Sequence, residues 1–313
     1  MLFVDAATVA SVLPLLDAID ALSIAFAGTA LPEIPPRSVL AAGGGEFVVM
    51  PVVGSGSVGA KLLTINPSNL ARGEPLIQGV FVLFGSDSLR PQAMIDGAAL
   101  TGIRTAAVSG VATRLLARAD ARRLVIFGAG VQARAHLVAM LAVRSIETLT
   151  VVEPDAERGR ALVAFARAEG LDARLGAADS VRDADIVCTC TTSPEPVFDG
   201  RLLATGAHVN AMGSYRPETR EVDDALVTRA WIVLETRADV LAEAGDLLIP
   251  LGAGVISDEH IAVELADVAT GRARPPQPGD VTLFKSVGVA FEDLVIAQAM
   301  LARLDGDRRV DLG

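Results

Sequence analysis

Aromatic residues are scarce: they make up 4% of the 313 residues, as ten Phe, one Trp and one Tyr. A chain that is nonetheless 51% hydrophobic must build its core from Ala, Val, Leu and Ile, as parallel sheets covered by helices do. Cysteine is rarer still, with two residues, Cys188 and Cys190, two apart in an apolar run. That excludes a disulfide framework and a zinc site, and reads as reduced core thiols in a cytoplasmic protein. The three histidines, His136, His208 and His260, pair with no nucleophile motif and have no metal-like spacing, so structural roles and no metal are expected. Positive charge is in deficit, 27 Lys and Arg against 38 Asp and Glu, for a net charge of -11. That excludes a nucleic-acid partner, because phosphate binding needs a basic surface. The apolar stretch 9–26 is interrupted by Asp17 and Asp20 and has no basic flank, so it reads as an amphipathic helix with no membrane partner.

What the chain does contain is a strand–turn–helix signature. Leu124-Val125-Ile126-Phe127 reads as a buried strand and breaks into Gly128-Ala129-Gly130-Val131-Gln132-Ala133. Residues 134–144 then carry apolar positions at helical spacing. This is the context of a dinucleotide fingerprint. Gly128 permits the tight turn, Gly130 lets the backbone approach a pyrophosphate, and Ala133 allows close helix–strand packing. The helix N-terminus offers unclaimed N–H groups to the phosphates. A second strand-like run, Leu149-Thr150-Val151-Val152, ends at Glu153, where a carboxylate binds ribose hydroxyls and repels a 2′-phosphate. NAD is therefore the expected cofactor, with NADP left open by Arg158 and Arg160. A third run, Ile186-Val187-Cys188, opens into Cys190, Thr191, Thr192 and Ser193, small residues at a strand's carboxyl end, where ligands of doubly wound sheets sit.

The chain before residue 115 has another rhythm. A proline-rich connection at 32–36 precedes strand candidates at 38–42, 46–53, 59–65 and 78–84, with no helices between them. A long Ala-rich helix is expected over 101–119. A final helix is expected over 292–304, its start capped and solvated by Glu292 and Asp293, packing back on the first domain. The expected fold class is α/β: a Rossmann doubly wound parallel sheet (115–287) inserted in a second, α+β substrate and dimerisation domain (1–114 with 288–313). No internal repeat is present, and the polar tail 305–313 reads as frayed.

Basic residues are few in that first domain, and three stand out. Arg37 precedes a strand, Lys61 lies inside the apolar run Val58-Gly59-Ala60-Lys61-Leu62-Leu63, and Arg104 lies near the start of the long helix. If they converge they make a carboxylate pocket, in which Arg grips two-point fashion and Lys supplies a compact, titratable charge. A desolvated Lys with a depressed pKa can serve as acid or base.

Several motifs occur in a telling order. They are Met50-Pro51, Gly59-Ala60-Lys61, Asn66-Pro67-Ser68-Asn69, Leu100-Thr101-Gly102-Ile103-Arg104-Thr105-Ala106-Ala107, the fingerprint through His136, and Phe284-Lys285-Ser286-Val287-Gly288. Together they resemble the ornithine cyclodeaminase/mu-crystallin family over nearly the whole chain. The resemblance implies a homodimer in which a substrate domain joins an NAD(P)-binding Rossmann domain, with an amino acid or cyclic imino acid carboxylate as substrate. It maps substrate binding onto Arg37, Lys61 and Arg104, with Lys61 also catalytic. It maps cofactor binding onto Gly128, Gly130, Val131, Gln132, Thr105, the stretch from Thr191 to Ser193, and Ser286. Glu153 joins these from the ribose argument above.

The pattern also departs from the cyclodeaminases. They resemble one another in an aspartate after a Gly-Gly pair and an acid just before Met-Pro. Here Tyr215 and Val48 stand at those positions. Cyclising ornithine requires a pocket that holds a second amine and helps it lose a proton, and neither residue offers a carboxylate. Glu46 shares the strand face of Val48, and Glu221 lies nearby in sequence as a further acid. The expected activity is therefore an NAD(P)-dependent oxidoreduction at the Cα–N bond of an amino acid or cyclic imino acid. The alternatives are an ornithine cyclodeaminase, or a cofactor-bound small-ligand-binding protein with little turnover.

Overall fold

A computed structural model of the chain describes residues 1–28, 31–32, 34–54 and 56–304. It comprises two compact units, Met1–Arg104 with Val289–Gly313, and Thr105–Gly288. The dividing points expected from the sequence were 114/115 and 287/288, the first of them inside the same long helix. The tail 305–313 and Glu33 of the proline-rich connection lie outside the described residues.

The first unit opens with β1 (Leu2–Val4), α1 (Ala6–Val12) and α2 (Leu15–Phe26). The single helix expected over 9–26 is two helices bent by 77°. Pro14 is the cause: it has no N–H to donate and drives the preceding Leu13 into extended backbone (φ -126, ψ 99). There follow β2 (Ser38–Ala42), β3 (Gly45–Gly54), β4 (Ser57–Ile65), β5 (Ile77–Gly85), β6 (Pro91–Asp96) and α3 (Gly97–Leu116). Among the described residues the six strands form one sheet in the order β1-β6-β5-β4-β3-β2, antiparallel except for β1 beside β6. The β2–β3 hairpin turns on Gly43 and Gly44, both at positive φ (56 and 85), the backbone a tight two-residue hairpin demands. Along β4 alternate residues are buried, so Gly59, Lys61, Leu63 and Ile65 share the covered face. The closing helix, Ala290–Leu301, packs against β3, β4 and α2, with Phe291 edge-on to Phe26 at 4.9 Å between ring centroids.

The second unit contains β7 (Arg123–Phe127), α4 (Val131–Val143), β8 (Thr148–Val152), α5 (Ala156–Ala168), β9 (Asp172–Leu175), β10 (Ile186–Thr189) and β11 (His208–Ala211). It continues through α6 (Asp224–Arg229), β12 (Trp231–Leu234), α7 (Arg237–Glu243), α8 (Gly245–Gly252), β13 (Val263–Glu264), α9 (Leu265–Ala269) and β14 (Thr282–Lys285); the closing helix of the first unit is then α10. Its described strands are all parallel, in the order β13-β12-β14-β11-β10-β7-β8-β9. β8 and β9 extend to one side of β7 while β10 and β11 extend to the other. The strand order thus reverses between β7 and β10, where doubly wound sheets open a ligand crevice at their carboxyl ends. Cys188 is buried in β10, whereas Cys190 lies just past its end; both are free thiols. Among the described residues no single helix is long and apolar enough to cross a membrane, and no group of His, Cys, Asp and Glu is placed to hold a metal ion.

Candidate active site

In the first unit the buried face of β4 carries a charge. Lys61 is fully buried, and its Nζ lies 2.8 Å from Asp293 Oδ2, 3.1 Å from Asp293 Oδ1 and 3.3 Å from Thr101 Oγ1. The Thr101 hydroxyl donates to the Gly97 carbonyl at 2.7 Å, which turns its lone pairs to the ammonium. One helical turn on, Arg104 places Nη1 3.3 Å from Glu292 Oε2 and Nε 3.6 Å from Asp293 Oδ1. Burial lowers the Lys61 pKa to about 8; Asp293 opposes that drop, while the charges of Arg104 and Arg37 add to it. Arg37, Lys61 and Arg104 therefore come together within this unit, from a loop, a strand and a helix. Glu292 and Asp293 correct the expectation of a solvated helix start: both are fully buried. Each still stands in the first turn, where the helix dipole favours acids, but the sheet covers that turn and the buried cations require counter-charges.

In the second unit the fingerprint turn is tightly built. Gly128 sits at φ 97, and a Cβ there would lie 2.6 Å from the Cys190 carbonyl oxygen. The turn after β7 thus presses on the loop after β10, and only glycine fits. Gly130 caps α4 without any side-chain hydrogen bond, and Val131 in the first turn is 75% exposed, so the helix start is open. A Cβ on Gly130 would meet only the Arg158 Nη2, at 3.4 Å. A cleft of about 550 Å³ opens here, lined among others by Gly128, Glu153, Arg158, Thr191 and Thr192. Thr105 Oγ1 is buried and has no hydrogen-bond partner.

Other expected contacts are tied up inside the unit. The Thr191 hydroxyl donates to Glu221 at 2.7 Å, and the Ser286 hydroxyl donates to Glu235 at 2.7 Å, so both point inward. Glu235 also accepts from the backbone of Val287 and Gly288. The Gln132 backbone carbonyl accepts from His136 Nδ1 at 2.8 Å, one turn along α4, a bond that does not engage the Gln132 side chain. Glu221 accepts in addition from Thr189, from the Thr191 backbone and from Gly213, and burial followed by the Asp246 charge raises its pKa. Asp246 in turn faces Lys285 at 2.7 Å. Glu221 is therefore committed to bracing the loops after β10 and β11, which removes it as a free acid.

The pattern described as the ornithine cyclodeaminase/mu-crystallin family matches residues 2–307. The chain belongs to that family. A Bacillus cereus relative, "Delta(1)-pyrroline-2-carboxylate reductase", is 35% identical over 268 residues, covering 82% of this chain and 81% of its own. Among solved structures, Thermococcus litoralis Delta(1)-pyrroline-2-carboxylate reductase in complex with NADH and L-proline superposes with a TM-score of 0.92 at 30% identity, covering 97% of both chains. An archaeal alanine dehydrogenase dimer with bound NAD also gives 0.92, at 25% identity, covering 97% of this chain and 95% of that one.

Within this family the departures from the cyclodeaminase pattern gain a physical form. Val48 is buried and lies two residues from Met50, the cross-strand partner of Lys61, so an apolar side chain shares the face of the buried ammonium. Glu46 is two residues further along that face, opposite Ile65, and half-buried. Tyr215 packs on the core of the second unit with the Arg216 guanidinium 5.7 Å from its ring centre. The histidines are structural: burial pushes His136 down to about 4 and His208 down to about 3. His260 closes a capping box with Ser257. The residues that sequence reasoning passed over are Thr101, Glu235 and the acid pair. A signal for the pair was present, since Glu292 and Asp293 stand between Phe291 and Leu294 in a helix whose other residues, Gln298 apart, are apolar.

The residues present fit a nicotinamide dinucleotide. The open helix start at Gly130 suits a pyrophosphate, Glu153 lines the cleft at the end of β8, and the unpartnered Thr105 hydroxyl marks a place for a polar ligand atom.

Proposed function

We propose that the protein is an NAD-dependent reductase of cyclic imino acids, of the Δ1-pyrroline-2-carboxylate type. The observation that carries this is that Lys61 and Arg104 are buried together and the charge of half-buried Arg37 acts on Lys61, on the sheet face that carries apolar Val48 where a cyclodeaminase would need an acid. Arg37 and Arg104 hold the substrate carboxylate in a charge-assisted grip. When bound, NADH supplies the hydride that reduces the imine carbon. The Lys61 ammonium supplies the proton at the imine nitrogen, so the C=N double bond becomes C–N with one N–H added. A pKa near 8 suits that task, because the ammonium dominates at neutral pH yet gives up its proton readily. On the cofactor side, Gly128, Gly130, Val131 and Gln132 form the phosphate-facing turn. Glu153 takes the ribose hydroxyls and Thr105 offers its hydroxyl, while Thr191 and Ser286, with their hydroxyls held by Glu221 and Glu235, shape the loops around the cofactor.

We assign the protein to a homodimer, as in the archaeal alanine dehydrogenase, and to the cytoplasm. The edge strand β2 is exposed along its whole length, with Val39 at 52% and Leu40 at 57%, an apolar edge that a partner would cover.

NADH oxidation with pyrroline-2-carboxylate, piperideine-2-carboxylate, and pyruvate plus ammonia, beside an ornithine-to-proline assay, tests the reading. Turnover is expected with a cyclic imine. Conversion of ornithine alone would replace it with the cyclodeaminase reading. Tight ligand binding without hydride transfer across the panel would replace it with a binding role.

A further inference from the structure

The acid pair that opens α10 has no part in the chemistry above, yet it touches two of the three cations. Asp293 lies between Lys61 and Arg104: its Oδ2 is 2.8 Å from Lys61 Nζ and its Oδ1 is 3.6 Å from Arg104 Nε. Glu292 faces Arg104 at 3.3 Å. These residues are distant in the chain, 232 positions apart for the Lys61–Asp293 pair and 188 for Arg104–Glu292, so only the fold brings them together.

We infer that Asp293 and Glu292 are positioning residues for the substrate cations. Asp293 fixes the spacing of Lys61 and Arg104 and keeps Lys61 in its ammonium form, and Glu292 aims the Arg104 guanidinium. The carboxylate-binding part of this inference rests on the function proposed above.

Three physical arguments support it. A buried cation without a counter-ion is strongly disfavoured, and with every oxygen of Asp293 and Glu292 buried, the pair is built for that duty. One carboxylate bridging two cations holds them at a fixed separation, which two independent ion pairs would not do. The groups facing the Lys61 ammonium are Asp293 from α10, Thr101 and Arg104 from α3, and Arg37 from the segment before β2; of these only Asp293 carries negative charge. Removing that charge takes away the carboxylate in contact with Lys61 while Arg104 and Arg37 remain, so the Lys61 titration must move to lower pH. Glu292 does not act on Lys61 directly, so its loss must spare that titration and weaken the grip of Arg104.

The composition makes a direct test possible. The chain contains two lysines, Lys61 and Lys285. Labelling with lysine carrying 13C at Cε therefore gives two signals, which Lys61→Met assigns. In Asp293→Asn the Lys61 midpoint is expected to fall by about one pH unit or more relative to the wild type, while Glu292→Gln leaves it in place. In kinetics with a cyclic imine, Asp293→Asn shifts the alkaline limb of kcat/KM toward acid. Glu292→Gln raises KM without moving that limb. An unmoved Lys61 midpoint in Asp293→Asn, or an equal shift in Glu292→Gln, overturns the inference. If Asp293→Asn does not fold, the double variant Lys61→Met/Asp293→Asn is expected to fold, because it removes both buried charges; a double variant that also fails overturns it. The titration uses neither substrate nor turnover, so a protein inactive on the whole imine panel would defeat the proposed function while leaving this inference to be decided by the lysine signals.

Discussion

In the reaction proposed above, one atom, the Lys61 Nζ, carries the proton. Burial lowers its pKa to about 8, the Asp293 carboxylate opposes that drop, and the charges of Arg104 and Arg37 add to it. The proton donor is the charged form, so kcat/KM for imine reduction is expected to fall as pH rises through about 8; a rate flat from pH 7 to 9.5 would remove Lys61 from that step. Replacing it by Met keeps much of the volume and deletes the donor. Lys61→Met is expected to lower kcat/KM by about a hundredfold or more while NADH affinity, read by fluorescence titration, stays close to wild type. Loss of both together would show a folding defect instead. How legible was this cluster? Arg37, Lys61 and Arg104 were singled out as cations in an apolar, cation-poor segment, and their convergence was implied by family resemblance, not by spacing. Glu292 and Asp293 were read as a helix cap, since local sequence places acids at helix starts for a reason unrelated to burial. Their true partners lie on other elements, which no local pattern reveals.

At the scale of elements, the β7–α4 turn is the best-specified feature of the chain. An apolar run, two glycines and a helical period identify it, and the first glycine, Gly128, proves to be demanded by a neighbour, whereas Gly130 leaves the helix start open. Gly128→Ala is expected to cost about 2 kcal/mol or more, because it combines positive φ with a Cβ 2.6 Å from the Cys190 carbonyl. Both the urea midpoint and NADH affinity should drop; an unchanged midpoint would mean the loop after β10 yields without cost. The elements that escaped sequence reading are those with little period to read. β1 has three residues and pairs in parallel with β6, itself opened by Pro91. The proline that divides α1 from α2 was visible, but the apolar run on both sides masked the break. Cofactor-side residues were read by type and not by direction: Thr191 and Ser286 turn their hydroxyls to Glu221 and Glu235, two acids recruited from later in the chain.

For the molecule as a whole, buried neutral histidines make stability depend on acid. His136 and His208 are each fully buried and hydrogen-bonded, with pKa values pushed down to about 4 and about 3 by burial. Unfolded, both would titrate near pH 6.5. Between those values the unfolded chain binds more protons, so stability is intact above about pH 6.5 and is lost as pH falls toward 4. Urea unfolding at pH 7.5, 6 and 5 is expected to show a falling midpoint, and the decline should shrink in His136→Gln. A midpoint constant over that window would mean the two rings titrate normally in the folded state.

The grip on an anionic group is the claim on which the function rests, and product binding tests it without turnover. Calorimetry of the NAD-loaded protein with L-proline and with L-prolinamide compares two ligands that differ in the carboxylate. Proline is expected to bind, and prolinamide to bind about a hundredfold more weakly or not at all, because charge-assisted contacts to Arg37, Lys61 and Arg104 are lost. Equal affinities for the two would contradict a carboxylate-binding role for these three cations.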